Sequence, residues 1–306
     1  MVICGGMDQS LPSVHNDVWV LDVATWAWRS VDVACGAVPE PRTGHTAAIY
    51  GSGMWLVGGA NPEAGPLGDV WVLWMHAQEW FWQPVLVSPP LPPRELHAMH
   101  MLPGTEHSDE QVVCLAVWGG RDRTGMVTSL QQLQLPAVSA AEPQADGVPA
   151  LQGGTYATMG SIPVGFAASS QSCRVASPSL PGVCAAVFGG FDGAALTGTL
   201  RLLQLHSPQA ASSIDAHAQD HTPSTGLDEA SAVQLVADPT AELLAVQPSM
   251  QVHAAEVVGT EVQPSFAASA LPHASQQDAF WVIGGLTGPQ CSQAVHLLQL
   301  GTGAGT

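Results

Sequence analysis

Short apolar runs recur along this chain, and five of them close on a glycine doublet. They are Val2-Ile3-Cys4, Trp55-Leu56-Val57, Ala116-Val117-Trp118, Ala186-Val187-Phe188 and Trp281-Val282-Ile283. The doublets are Gly5-Gly6, Gly58-Gly59, Gly119-Gly120, Gly189-Gly190 and Gly284-Gly285. A loop and a second apolar run follow each: Asp17 to Leu21, Asp69 to Leu73, Leu130 to Leu135, Leu200 to Leu205 and Val295 to Leu300. The runs are short, rich in Val, Leu, Ile and Trp, and bounded by Gly, Pro, Asn and Asp, so they predict strands joined by turns. No long window keeps the helical period of apolar positions. Recurrence at a long, fixed interval marks an internal repeat, and the repeat decides the fold class.

Further elements repeat with the doublets. Pro41-Arg42-Thr43-Gly44-His45 leads into the second copy and Pro93-Arg94-Glu95-Leu96-His97 into the third. Pro163-Val164-Gly165-Phe166 and Pro264-Ser265-Phe266 hold the same place before the fourth and fifth. Trp26-Ala27-Trp28 and Trp80-Phe81-Trp82 lie downstream in the first two. Together these residues resemble kelch repeats: Pro-Arg-x-Gly-His, an apolar run ending in Gly-Gly, Asp-x-Trp-x-Leu, then Trp. The resemblance implies an all-β, kelch-type β-propeller of about five blades of four antiparallel strands. Gly5, Gly6, Gly58, Gly59, Gly119, Gly120, Gly189, Gly190, Gly284, Gly285, Trp19 and Trp71 are then its structural repeat positions. Packing neighbouring sheets face to face would bury a continuous core that one sheet cannot bury alone.

The pattern predicts a single domain over residues 1–306, with insertions at about 136–150 and 206–260. Within the second insertion, Val233 to Val236, Leu243 to Val246 and Val252 to Val258 are candidates for the outer strand of the fourth blade. The first blade is expected to lack its innermost strand and the last its outermost. That predicts a piece of a longer ring or an imperfect gene product.

Hydrophobic residues make up 46% of the chain, ample for a core, and charged residues only 10%. The net charge is −18, all seven basic residues are arginine, and lysine is absent. A lysine Schiff base and a phosphate-loop lysine are therefore excluded. So sparse a basic content argues against a nucleic-acid backbone as ligand. It favours a basic or neutral protein partner. The cysteines, Cys4, Cys35, Cys114, Cys173, Cys184 and Cys291, form no close pair and are expected to act as small hydrophobes. The sequence shows neither a charged-then-apolar leader nor about 18 consecutive apolar residues, so an intracellular, cytoplasmic protein without membrane contact is expected.

His45 and His97 occupy matching positions, each after an arginine, Arg42 and Arg94. They either grip an acidic ligand at a channel mouth or satisfy backbone polar groups inside the repeat. Asp8, Asn61, Asp122 and Asp192 follow their doublets at one offset and suit turns. Trp19, Trp71, Trp28 and Trp82 suit packing between sheets. Arg121, Asp122 and Arg123 break from the other copies and form a candidate contact loop. No nucleophile–base set, GxSxG elbow or metal-binding helix can be assembled, and no metal or cofactor is expected.

The resemblance implies a non-catalytic adaptor or scaffold whose blade loops bind a protein. The alternative it implies is a kelch-type enzyme or accessory domain, such as a metal-assisted specifier protein or the propeller half of a tRNA-modifying methyltransferase.

Overall fold

The computed structural model describes residues 1–8, 13–22, 24–33, 36–75, 79–102, 112–136, 149–161, 171–177, 180–191, 193–196, 200–205, 250–254, 257–258, 269–272, 275–276, 279–283, 286–287, 290–291 and 295–300. All regular structure among these residues is β. Among the described residues, no helix is long and apolar enough to cross a membrane.

The first sheet holds β1 (Val2–Asp8), β2 (Ser13–Asp22) and β3 (Ala27–Ser30) in sequence order. The second runs β4 (Thr46–Tyr50), β5 (Gly53–Val57), β8 (Val70–Met75), β9 (Trp80–Val87), with a small hairpin of β6 (Ala60–Asn61) and β7 (Gly65–Pro66) in its loop. The third runs β10 (Ala98–Met101), β11 (Val112–Trp118), β12 (Ser129–Pro136), β13 (Leu151–Ser161). The fourth is β14 (Gln171–Ser177), β15 (Leu180–Phe188), β16 (Leu200–Leu205), β17 (Met250–Ala254). The fifth combines β18 (Val257–Val258), β19 (Ser269–Pro272), β20 (Ala279–Ile283) and β23 (Val295–Leu300), with β21 (Leu286–Thr287) and β22 (Gln290–Cys291) as its loop hairpin. The leading strands β4, β10, β14 and β19 lie side by side in that order. The fold is therefore all-β and propeller-like, as the repeat predicts.

Two strand assignments differ from the sequence expectation. The fifth sheet does not lack an outer strand: β18 pairs antiparallel with β23, Val257 opposite Leu300. Its outer strand is supplied by residues that precede the sheet rather than follow it. The outer strand of the fourth sheet, β17, does come from the segment 206–260 and overlaps the expected Val252 to Val258 stretch, and the same segment also supplies β18. Val233 to Val236 and Leu243 to Val246 lie outside the described residues. The sheets are also not purely antiparallel. β9 and β13 pair in parallel and join the second and third sheets along their outer edges. Gln83, itself buried, ties that junction by accepting from Trp74 Nε1 and donating to Pro149 O, both at 2.7 Å.

The core lies between sheets. One cluster, with Cys4, Val18, Leu56, Leu73 and Trp82, fills the space between the first two. A larger one, with Trp55, Val72, Trp74, Leu115 and Leu133, separates the second from the third. A third, with Ala116, Trp118, Ala185 and Val187, continues to the fourth. Alternation explains this: successive residues of β5 and β8 point to opposite faces, and each face meets a different neighbour. Fully burying each large side chain contributes about 2 kcal/mol.

Candidate functional site

The repeat's polar residues gather in the seams between sheets. Arg42 lies just before β4 and is 1% exposed. Its Nη1 and Nη2 donate to the two carboxylate oxygens of Asp69 at 2.6 and 2.8 Å. Nη1 also donates to Gly58 O at 3.0 Å, and Nε to Glu40 O at 2.9 Å. Trp71 Nε1 donates to Asp69 Oδ2 at 2.7 Å. Asp69 and Trp71 alternate across one strand residue, so both side chains reach the same side of β8. Burial raises the Asp69 carboxyl, but the bonds and charge of Arg42 outweigh it and hold the group below its ordinary range.

Backbone bonds fix the arginine across the seam. Gly6 N donates to Arg42 O at 2.9 Å and Arg42 N to His15 O at 3.0 Å. One repeat later, Gly59 N donates to Arg94 O at 2.9 Å and Arg94 N to Leu67 O at 3.0 Å. Arg94 is equally buried, yet its partners are neutral: Gln131 Oε1 at 2.8 Å, Ser129 Oγ at 3.1 Å and Gly119 O at 3.3 Å. Burial lowers its pKa to about 10.

The histidines reach back to the preceding sheet. His45 Nε2 lies 3.4 Å from Cys4 Sγ, and His97 Nε2 2.7 Å from Thr46 Oγ1. The Nδ1 atoms of both are buried with no hydrogen-bond partner among the described residues. Burial pushes His45 down to about 4 and His97 to about 3, with the neighbouring arginine acting in the same direction. Burial also pushes the Cys4 thiol up to about 12, which suppresses its nucleophilic form.

A pH dependence follows. Each histidine is neutral in the folded chain and binds a proton more readily when unfolded, near pH 6.5. Its neutral-state stabilisation is therefore complete above that pH and declines as pH falls toward the folded values of about 4 and 3. Between pH 6 and pH 5 each should cost about 1 kcal/mol. Denaturant unfolding of the wild type should show this slope, and replacing both histidines by Gln should flatten it.

The Arg121–Arg123 loop lies at the surface, where both arginines hold neighbouring loops. Arg121 Nε forms an ion pair with Glu95 at 2.7 Å, and the Arg121 and Glu95 backbones bond reciprocally. Arg123 donates to Ala64 O in the preceding sheet's loop. Asp122 Oδ1 accepts from Thr124 N at 2.6 Å and Gly125 N at 3.0 Å, and Asn61 Oδ1 accepts from Glu63 N at 2.8 Å. These are the turn bonds expected of Asp and Asn; Asp192 lies outside the described residues. Beside Asn61 opens a cleft of about 720 Å³ between the loops of the first two sheets, with Glu40 and Glu63 among its walls. Sequence reasoning missed this acidic cleft and the Asp69 counter-ion; the Asp-x-Trp spacing shared with Asp17 and Trp19 was the available sign of the latter.

The tryptophans divide. Trp71 and Trp82 pack between the first two sheets. Trp19 and Trp28 do not fill an equivalent seam and stand 41% and 49% exposed, because no described sheet covers that side of the first one. Among the described residues, no three His, Cys, Asp or Glu side chains are grouped to hold a metal ion.

Residues 1–114 match the family described as the KLHDC2/KLHL20/DRC7 Kelch-repeats domain. The flagellar outer arm dynein alpha chain of Chlamydomonas reinhardtii is 30% identical over 138 residues, 44% of this chain and 3% of that protein. Human tRNA wybutosine-synthesizing protein 4 is 34% identical over 104 residues, 34% of this chain and 15% of that protein. Arabidopsis thaliana acyl-CoA-binding domain-containing protein 5 is 36% identical over 80 residues, 26% of this chain and 12% of that protein. The similarity thus spans only a small part of each relative's length.

Proposed function

We propose that this chain, which carries kelch repeats, is a non-catalytic protein-interaction module. Its five sheets act as the blades of a propeller, and the loops between the first three present the binding face. One observation carries this reading: Arg42, Arg94, His45 and His97 are directed into the seams, while an open acidic cleft and the Arg121–Arg123 loop remain at the surface. With a net charge of −18, the module suits a basic or neutral protein partner rather than nucleic acid or an anionic membrane surface. We place it in the cytoplasm.

The test is affinity capture by the whole chain, followed by identification of a protein bound in stoichiometric amount. Reversing charge at both Arg121 and Arg123 should weaken its capture at least tenfold. Undiminished capture would remove this loop from the contact.

A second reading is favoured by the likeness to tRNA wybutosine-synthesizing protein 4: an accessory domain of an enzyme. Tight, stoichiometric iron or copper binding would move the assignment toward metal-assisted chemistry.

A further inference from the structure

The seam between the first and second sheets shares its backbone frame with the seam between the second and third, but their loops differ in charge. Arg42 N donates to His15 O in the first of these seams as Arg94 N donates to Leu67 O in the second. Thr43 and Ala60 exchange backbone bonds as Glu95 and Arg121 do. The turns after them match too: Asn61 Oδ1 accepts from Glu63 N, and Asp122 Oδ1 from Thr124 N. Pro62 therefore stands where Arg123 stands, Glu63 where Thr124 stands, and Ser13 where Gly65 stands.

In the second seam that place is filled from within. Arg123 crosses to the loop of the second sheet, donates to Ala64 O and lies against Gly65. The charges of Glu95, Arg121, Asp122 and Arg123 balance there, with Arg121 ion-paired to Glu95. In the first seam their counterparts, Thr43, Ala60, Asn61 and Pro62, carry no charge. Proline has no side chain long enough to cross, and the cleft of about 720 Å³ opens at this point, with Ser13 and Pro62 among its walls. Two carboxylates are added to those walls: Glu40, where the second seam has Pro92, and Glu63. Both are exposed, and neither is in an ion pair among the described residues. Since the backbone bonds are common to both seams, the opening comes from the loop side chains and not from a strand.

We propose that this cleft receives an arginine side chain of a protein partner, in the place that Arg123 fills one seam further on. No cation of these residues is left to take it. Lysine is absent, Arg29 lies over the Trp80 ring, and Arg42, Arg94, Arg121 and Arg123 have the partners given above. Arg174 and Arg201 belong to β14 and β16 of the fourth sheet. Two carboxylates without a cation, on a chain of net charge −18, attract a basic group. A guanidinium suits the site better than an ammonium. Its planar fork takes a carboxylate by two parallel bonds and still offers an N–H to a loop carbonyl, as Arg123 does to Ala64 O. The inference rests on the interaction-module reading and names the chemistry of one contact within it.

The experiment uses the whole 306-residue chain and the fluorescein-labelled peptide Gly-Ser-Arg-Gly-Ser-Arg-Gly, followed by anisotropy. Saturable binding is expected. Replacing both peptide arginines by citrulline, which keeps the shape and loses the charge, should weaken it about tenfold or more, with lysine between. Glu40→Gln with Glu63→Gln in the protein should weaken it to a similar degree. Asp32→Asn with Glu79→Gln, an equal change of charge on exposed residues outside the cleft walls, should leave it unchanged. Pro62→Arg supplies the absent side chain from within and should also weaken binding about tenfold. No saturable binding, equal binding of the citrulline peptide, or equal losses from the two pairs of protein substitutions would overturn the proposal. The peptide series is measured on the unaltered chain, so it decides the matter even where a substitution disturbs the fold. A partner captured in stoichiometric amount that ignores Glu40→Gln with Glu63→Gln would sink this inference and leave the module reading standing. Capture of no protein at all would sink that reading and this inference with it.

Discussion

Gly58→Ala should destabilise the protein by about 4 kcal/mol and lower its melting temperature by roughly 10 °C. Two effects add. Gly58 has φ of +59°, in the left-handed region where a Cβ costs about 1 kcal/mol or more. That Cβ would also lie 2.7 Å from Arg94 O, 3.0 Å from His97 Cε1 and 3.2 Å from Leu67 O. Two of those atoms are backbone, in the seam that joins the second sheet to the third, so no side-chain rotation relieves the clash. Gly51 provides the control. Its φ is +58°, yet nothing lies within 4 Å of the position its Cβ would take. Gly51→Ala should therefore cost only about 1 kcal/mol. The difference between the two variants, measured by denaturant unfolding, isolates the crowding at the seam. Equal losses would show that the doublet serves backbone conformation alone.

That contrast explains why the repeat was legible. A glycine doublet after an apolar run records two local demands at once, a positive φ and a close approach by the next sheet. Both exclude side chains whatever the rest of the sequence does. The strand runs were legible for a similar reason: β5, β8 and β11 are buried on both faces, so nearly every position is apolar. What was not legible depends on pairing at a distance. The two residues of β18 join the fifth sheet through Leu300 and Gln299, and no local pattern marks so short a strand. The parallel contact of β9 with β13 depends on where the chain returns after residues 137–148. Trp19 and Trp28 carry the same sequence signature as Trp71 and Trp82, and only the presence or absence of a covering sheet separates them. Arg121 and Arg123 differ from the other copies in sequence, but sequence could not show that Glu95 and Ala64 O hold them.

Arg42 and Arg94 put the same distinction into energies. They occupy one repeat position and are equally buried, so a sequence comparison would assign them one value. The surroundings differ in charge. Arg42→Leu strips a bidentate donor from Asp69 and leaves Gly58 O without its guanidinium bond, with an expected loss of about 3 kcal/mol. Asp69 retains the Trp71 donor and partial contact with water, which keeps the loss from being larger. Arg94 has no carboxylate partner; its buried charge faces a hydroxyl, an amide and a carbonyl. Removing an uncompensated buried cation also removes its desolvation cost, so Arg94→Leu should cost about 1 kcal/mol or less. Restoring the missing partner should act in the opposite direction. Ser129 stands immediately ahead of Leu130 in the place Asp69 holds ahead of Val70, and Arg94 Nη2 already lies 3.1 Å from its hydroxyl. Ser129→Asp should therefore stabilise the wild type by about 1 kcal/mol, and should gain nothing in an Arg94→Leu background. A double-mutant cycle on urea unfolding at pH 7 checks both statements. If the two arginine variants lose equal stability and Ser129→Asp is neutral in both backgrounds, the counter-ion is not what distinguishes the seam of Arg42 from that of Arg94.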